Sequence, residues 1–156
     1  MGRFEQDVPA GVVSGLREGL GEDLVSVVLF GSRARGDVRE GSDWDFLVIA
    51  RGLPEGTLER VFRVKKMVPP PHRGAASLLA KTPEEFTAGL PGLYLDIALD
   101  GVILHDTGGY IAGRLEALRT LIHRKGLRRE REGRDLIWHW EQFPGRDWSL
   151  EWEEAT

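Results

Sequence analysis

Two short, β-branched apolar runs, Leu24–Phe30 (LVSVVLF) and residues 46–50 (FLVIA), enclose a stretch dominated by glycine and charge, GSRARGDVREGSDWD. Runs of this length bounded by glycine and polar residues read as buried strands rather than helices. The second run opens on two carboxylates, Asp43 and Asp45, one residue apart at the mouth of a strand that has to be buried. Any fold for this chain has to explain that placement.

Helical segments alternate with the strands. Asp7 is placed to cap a helix in which Val12, Val13, Leu16 and Leu20 recur at helical spacing, with Pro9 in the first turn and Gly21 at the end. Gly11, Gly15 and Gly19 weaken that helix by about 1 kcal/mol each relative to Ala. A second helix is predicted over residues 58–67 and stops at three consecutive prolines, Pro69, Pro70 and Pro71. Residues 76–80 (ASLLA) make a weaker third strand. Thr82-Pro83-Glu84-Glu85 carries a capping box at a helix start. Residues 93–99 (LYLDIAL) suit either a strand or a helical turn, and residues 101–104 read as a strand. Ile111, Leu115, Leu118, Leu121 and Ile122 form one apolar stripe, so residues 110–125 read as an amphipathic helix ending at Gly126. Residues 127–134 are a mixed charge run read as a solvated segment, and residues 136–140 (LIWHW) as a late edge strand before an aromatic, acidic tail. The pattern predicts a small α/β (α+β) domain, a mixed sheet flanked by helices, with a core over residues 1–126 and a charged, Trp-rich segment over 127–156 packing on it.

Composition narrows the function. A chain of 156 residues suits one domain with a real core. A net charge of −4 argues against general nucleic-acid binding. Zero cysteines exclude disulfides and thiolate metal sites and suit a reducing, cytoplasmic setting. The start MGRFEQDVPAG has no apolar signal region, and no run reaches the ~20 residues of a membrane span. His72, His105, His123 and His139 are scattered without ligand spacing and read as structural. Arg35-Gly36-Asp37, the letters of a cell-adhesion tripeptide, is read as coincidence.

On an extended backbone, side chains at i and i+2 share a face, roughly 6.6 to 6.8 Å apart. Asp43 and Asp45 therefore point one way and Trp44 the other. Two like charges shielded from water repel, and one is driven to protonate. A hard divalent cation removes the conflict, and Mg²⁺ takes one or two carboxylates together with substrate phosphates. Upstream, Gly31 permits a sharp turn and a close ligand approach, while Ser32 offers a hydroxyl and an amide at the start of a short helix. Arg33 and Arg35 are each balanced between phosphate contact and surface charge. Lys65 and Lys66 read as a solvated helix face, and Trp138, Trp140, Trp148 and Trp152 as packing.

Gly31-Ser32, then Asp43-Trp44-Asp45 leading into an apolar strand, resembles the signature of the polymerase-β-like nucleotidyltransferase superfamily. The arrangement GSRARG…SDWDFLVI is similar to its minimal, stand-alone members (MNT), which pair as antitoxins with HEPN-type helical proteins. The motif spans residues 31–49, and the strand–helix order extends the similarity over residues 24–106. The resemblance implies the nucleotidyltransferase fold and an NTP substrate, ATP in particular. It implies phosphates held by Gly31 and Ser32 with Arg33 in support, and two Mg²⁺ ions on Asp43 and Asp45. A third carboxylate on a neighbouring strand would complete the site. Asp96, in an apolar setting, is the preferred candidate and Asp100, otherwise a turn residue, a substitute. A rival alignment puts Ser77 at that position and leaves the metal site incomplete. The resemblance implies transfer of AMP to an acceptor hydroxyl, on a HEPN-type partner or elsewhere. The alternative is a non-catalytic, antitoxin-like binding module, and a weaker one a nucleotide sensor. A second copy of the chain remains an open partner; a membrane does not.

Overall fold

The computed structural model describes residues 3–38 and 41–155, with side chains from Asp7 onward; Met1, Gly2, Arg39, Glu40 and Thr156 lie outside the described residues. In chain order the elements are α1 (Arg3–Leu20), β1 (Leu24–Phe30), α2 (Ser32–Arg35), β2 (Trp44–Ala50), α3 (Thr57–Met67), α4 (Pro70–Arg73) and β3 (Ala76–Lys81). Then follow α5 (Pro83–Ala88), α6 (Gly92–Asp100), β4 (Val102–Asp106), α7 (Tyr110–Arg124), β5 (Leu127–Glu132) and β6 (Asp135–Trp140).

Four strands form a mixed sheet in the order β3-β2-β1-β4. β1 is antiparallel to both β2 and β4, whereas β2 and β3 run parallel. A parallel pair needs a crossover, and α3 with α4 provides it. Alternation along β2 divides the core. Phe46, Val48 and Ala50 pack with Val8, Val12, Leu16 and Val64 on one face, and Leu47 and Ile49 with residues of α5, α6 and α7 on the other. Both faces are covered, which is why β1 and β2 are nearly uniform apolar runs. Among the described residues, Ser26 in β1 is the one buried polar residue, and its hydroxyl donates to Asp106 at 2.8 Å. Asp106 also accepts from the backbone N–H groups of Ile111 and Ala112 at 2.9 and 3.0 Å, fastening the start of α7 to the sheet.

Three local expectations change. Asp7 lies inside α1 rather than at its cap, because Val8, Val12 and Leu16, all fully buried, continue the apolar stripe a turn upstream past Pro9. The three glycines of α1 allow close packing: a Cβ at Gly11 would strike the His72 ring, and one at Gly15 or Gly19 would strike Met67. Residues 127–134, expected as a solvated segment, instead form β5 and the turn into β6. The two strands pair antiparallel from Leu127↔Trp140 to Glu132↔Asp135, around Gly133 at φ 64°. Leu127, Arg129 and Arg131 alternate along one face of β5, and an arginine at the part-buried position 129 disguised the pattern.

Residues 93–99 resolve as the helix α6, burying Tyr94, Leu95, Ile97 and Ala98. Thr82 and Glu85 form the expected capping box, with N–H to side-chain distances of 3.2 and 2.8 Å. Beyond the hairpin, Trp152 is buried, packs its ring at a tilt against Phe86 with centroids 5.2 Å apart and donates its indole N–H to Gly89 O at 2.7 Å.

Candidate active site

β1 ends at Phe30 and the chain turns through Gly31, whose φ of 77° and ψ of −159° suit glycine alone. Its carbonyl accepts from Ala34 N and Arg35 N, both at 3.1 Å, to start α2. The turn stacks against the start of β2. A Cβ on Gly31 would collide with Asp45 Oδ2 and stand 3.3 Å from its Cγ. The Gly-Ser turn and the second carboxylate of the pair, 14 positions apart at Gly31 and Asp45, are thus in direct contact. That contact answers the question raised by carboxylates at a buried strand's mouth.

Asp45 pairs with Phe30 on one side and Ser77 on the other, and neither neighbour brings a counter-charge. Burial pushes its carboxyl above the usual range, the Asp43 carboxylate pushes the same way, and only Arg35 pulls it down. Asp43 stands exposed just ahead of the strand. Two hard oxygen donors, one partly desolvated and held against a backbone that leaves no room for a side chain, fit a Mg²⁺ ion.

The other candidates separate. Arg33 is turned to the opposite face: its guanidinium lies 4.6 Å from the Trp44 ring centroid and donates to Ser42 O at 2.9 and 3.3 Å. It staples the stretch before Asp43 to α2. Arg35, level with it in the sequence reading, is the arginine whose charge reaches Asp45. Ser32 opens α2 and its carbonyl accepts from Asp37 N at 3.0 Å. Lys65 donates to Ala76 O and ties α3 to the edge strand β3.

Asp96 is not on a neighbouring strand. It lies on α6, where its Oδ1 accepts from Arg129 Nη1 at 2.9 Å and Trp138 Nε1 at 3.2 Å. Asp100, one helical turn on, is held by the Arg129 fork at 2.6 Å through both oxygens and is no mere turn residue. The position in register beside Asp45 on β3 belongs to Ser77, as the rival alignment has it. Ser77 also lines a groove of about 390 Å³ between α3 and β3, together with Arg60, Lys65 and Glu85.

His139, which the sequence reading left isolated, stands with Glu130 and Glu132 on the outer face of the hairpin. Its Nε2 is 3.7 and 3.4 Å from their carboxylates, an ion pair once the imidazole is protonated. Cross-strand register alone brings these side chains together, so spacing along the chain could not show it.

A mixed sheet whose first connection closes a Gly-Ser turn onto Asp45, with Asp43 just ahead of it, is the arrangement of an α/β nucleotidyltransferase-type domain. The nucleotidyltransferase domain model matches residues 13–101, and the chain belongs to that family. Over 44 residues it is 50% identical to a Methanocaldococcus jannaschii protein named "Putative protein adenylyltransferase MJ1305", a match covering 28% of this chain and 30% of that protein. The chain therefore spans under a third of the curated relative it matches.

Among solved structures, a chain of a toxin–antitoxin crystal structure with AMP-PNP superposes with a TM-score of 0.56 at 16% identity, covering 74% of this chain and 87% of the other. A chain from the tri-AMPylated Shewanella oneidensis HEPN toxin in complex with MNT antitoxin gives 0.51 at 15% identity, covering 77% and 87%. At these identities the likeness is one of fold. Among the described residues no helix is long and apolar enough to cross a membrane.

Proposed function

We propose that this chain transfers AMP from ATP to a hydroxyl group on a protein acceptor, a HEPN-type partner being the first to try. The observation that carries the reading is the packing of the Gly31 backbone on the Asp45 carboxylate, which makes phosphate turn and metal ligands one site. The acceptor oxygen forms a bond to the α-phosphorus, the bond from that phosphorus to the bridging oxygen breaks, pyrophosphate leaves, and the acceptor proton passes to solvent. Mg²⁺ on Asp43 and Asp45 would supply neutralisation of phosphate charge and a lower pKa for the attacking hydroxyl.

The chain's own groups do the rest by positioning. The turn at Gly31 and Ser32 receives the outer phosphates, and Arg35 adds a cation on the Asp45 side. Arg33 keeps the turn and the Asp43 segment in register. Asp96, occupied by Arg129 and Trp138, supports the wall of the site instead of ligating metal. Support for a protein acceptor comes from the name of the Methanocaldococcus relative and from the AMPylated toxin of the Shewanella complex. A chain without cysteine suits this reaction in a reducing cytoplasm.

Ser77 beside Asp45 favours a second reading: a binding module that neutralises its partner by contact with an incomplete metal site. Calorimetry with Mg·ATP and label transfer from α-labelled ATP to a HEPN-type protein separate the two. The transferase reading expects Mg²⁺-dependent ATP binding and label on the partner, both lost in Asp45→Asn. Partner binding without nucleotide binding, unchanged in Asp45→Asn, would establish the contact-only module instead.

A further inference from the structure

The match to the nucleotidyltransferase family ends at residue 101, yet the hairpin at residues 127–140 reaches back to α6 and to Asp37, just past the end of α2. We propose that this hairpin is a working part of the nucleotide site: Arg129 and Arg131, acting through Asp100 and Asp37, hold Arg35 in place to receive the triphosphate. The inference rests on the nucleotide reading given above and assigns the appended segment a role in it.

The linkage is built from shared oxygens. Arg35 donates from Nε to Asp37 Oδ2 at 3.2 Å and from Nη1 to Asp100 Oδ2 at 3.5 Å. The same Asp37 oxygen accepts from Arg131, and the same Asp100 oxygen accepts from Arg129 Nη1 at 2.6 Å. Arg129 and Arg131 are two apart on β5, so the pleat points both toward α2 and α6. Asp96 and Asp100 are four apart on α6, so one helical face presents both to Arg129. Trp138, directly opposite Arg129 in the hairpin register, donates to Asp96 and fixes the far end. Three arginines and three aspartates thus close a neutral network over α2, α6, β5 and β6.

Two features set this network apart from ordinary surface pairing. The side chains of Arg129 and Asp100 are only 13% and 11% exposed, and their contact is a two-pronged fork. Pairs removed from water repay their desolvation poorly as stability and well as fixed geometry. Among the described residues, Nη2 of Arg35 makes no hydrogen bond, so the guanidinium is gripped through Nε and Nη1 and keeps a donor to offer. The Arg35 backbone N–H already bonds the Gly31 carbonyl at 3.1 Å, so the side chain starts one helical turn from the Gly-Ser turn. A wide-ranging arginine would pay rotamer entropy on meeting a phosphate; one clamped from behind would not.

The test is a double-mutant cycle on binding of Mg·α,β-methylene-ATP, an analogue whose Pα–Pβ link cannot be transferred. Arg129→Gln is expected to weaken binding about tenfold, and Arg35→Gln at least as much. In the Arg35→Gln background, Arg129→Gln should change little, because its effect runs through Arg35. Arg129→Lys, which keeps charge but loses the fork, should behave like Arg129→Gln while leaving the fold intact by circular dichroism. Single-variant affinities within twofold of native, or an Arg129 effect undiminished without Arg35, would overturn the proposal.

Hydrogen exchange of residues 32–37, measured without nucleotide, keeps the two readings apart. Native protein that binds no analogue refutes the nucleotide reading, and the exchange data then judge the linkage alone. Faster exchange of that segment in Arg129→Gln upholds the clamp on α2; unchanged exchange refutes it.

Discussion

Replacing Gly31 by Ala tests the contact on which the site is built. The backbone there has φ 77° and ψ −159°, and strain in that region costs an L-residue about 1–3 kcal/mol. The added methyl would also overlap Asp45 Oδ2, so the carboxylate has to rotate or the turn has to lift off β2. A domain of this size loses about 2–4 °C of Tm per kcal/mol, so the variant should melt roughly 2–12 °C lower. Because the displaced group is the proposed metal ligand, Mg·ATP affinity measured by calorimetry should fall by about tenfold or more. Gly36→Ala is the control: its φ is 83°, but a Cβ there meets nothing within 4 Å. It should lose about 1–2 kcal/mol for the left-handed backbone and keep its nucleotide affinity. If Gly31→Ala melts with the native chain and binds Mg·ATP as tightly, the turn does not rest on Asp45 and the reasoning fails.

Asp45→Asn should stabilise the metal-free protein. At roughly 7 Å and an effective dielectric of about 20–80, its repulsion with Asp43 is worth about 0.6–2.4 kcal/mol, toward the lower end since Asp43 is exposed. The folded pKa of Asp45 is raised, so its ionisation costs stability as pH climbs past the ordinary value of 3.8 and through the raised one. The melting advantage of Asn should therefore be full at neutral pH and vanish near pH ~3. By the same sign, Mg²⁺ affinity in a titration should weaken as pH falls through that raised pKa, because the proton competes for the oxygen. Ser77→Asp should tighten Mg²⁺ binding and lower the metal-free Tm, whereas Asp96→Ala should leave nucleotide-free Mg²⁺ affinity unchanged. Ser26→Ala removes a buried hydroxyl that donates to the Asp106 carboxylate and should cost about 1.5–3 kcal/mol in denaturant unfolding.

Much of the local structure was legible because local chemistry decides it. β1 and β2 are apolar runs ended by glycine or charge, the start of α5 is a Thr-Pro-Glu-Glu capping box, and α7 is an uninterrupted stripe; none needs a distant partner to be recognised. The start of α1 was misread because Pro9 looked like a first-turn residue, when burial of Val8 carries the helix past it. β5 was misread because Arg129 occupies a position where an inward residue is normally apolar. Only its aspartate partners, 29 and 33 positions away in sequence, make that position tolerable.

The sequence by itself determined the chemistry on offer: a glycine able to turn sharply, and two carboxylates at the mouth of a buried strand. Covalent spacing and backbone stereochemistry are enough for that, whereas the class came from the likeness of the Gly31-Ser32 and Asp43-Trp44-Asp45 motif to the nucleotidyltransferase signature. Tertiary structure alone decided the allocation of the remaining charges. Arg33 and Arg35, two residues apart, went to opposite duties because one meets Trp44 and the other meets Asp37 and Asp100. Asp96 went to Arg129 and Trp138, and Ser77 took the place beside Asp45. The physical reason is that a side chain's role depends on the field around it, and that field is assembled from segments the sequence keeps far apart.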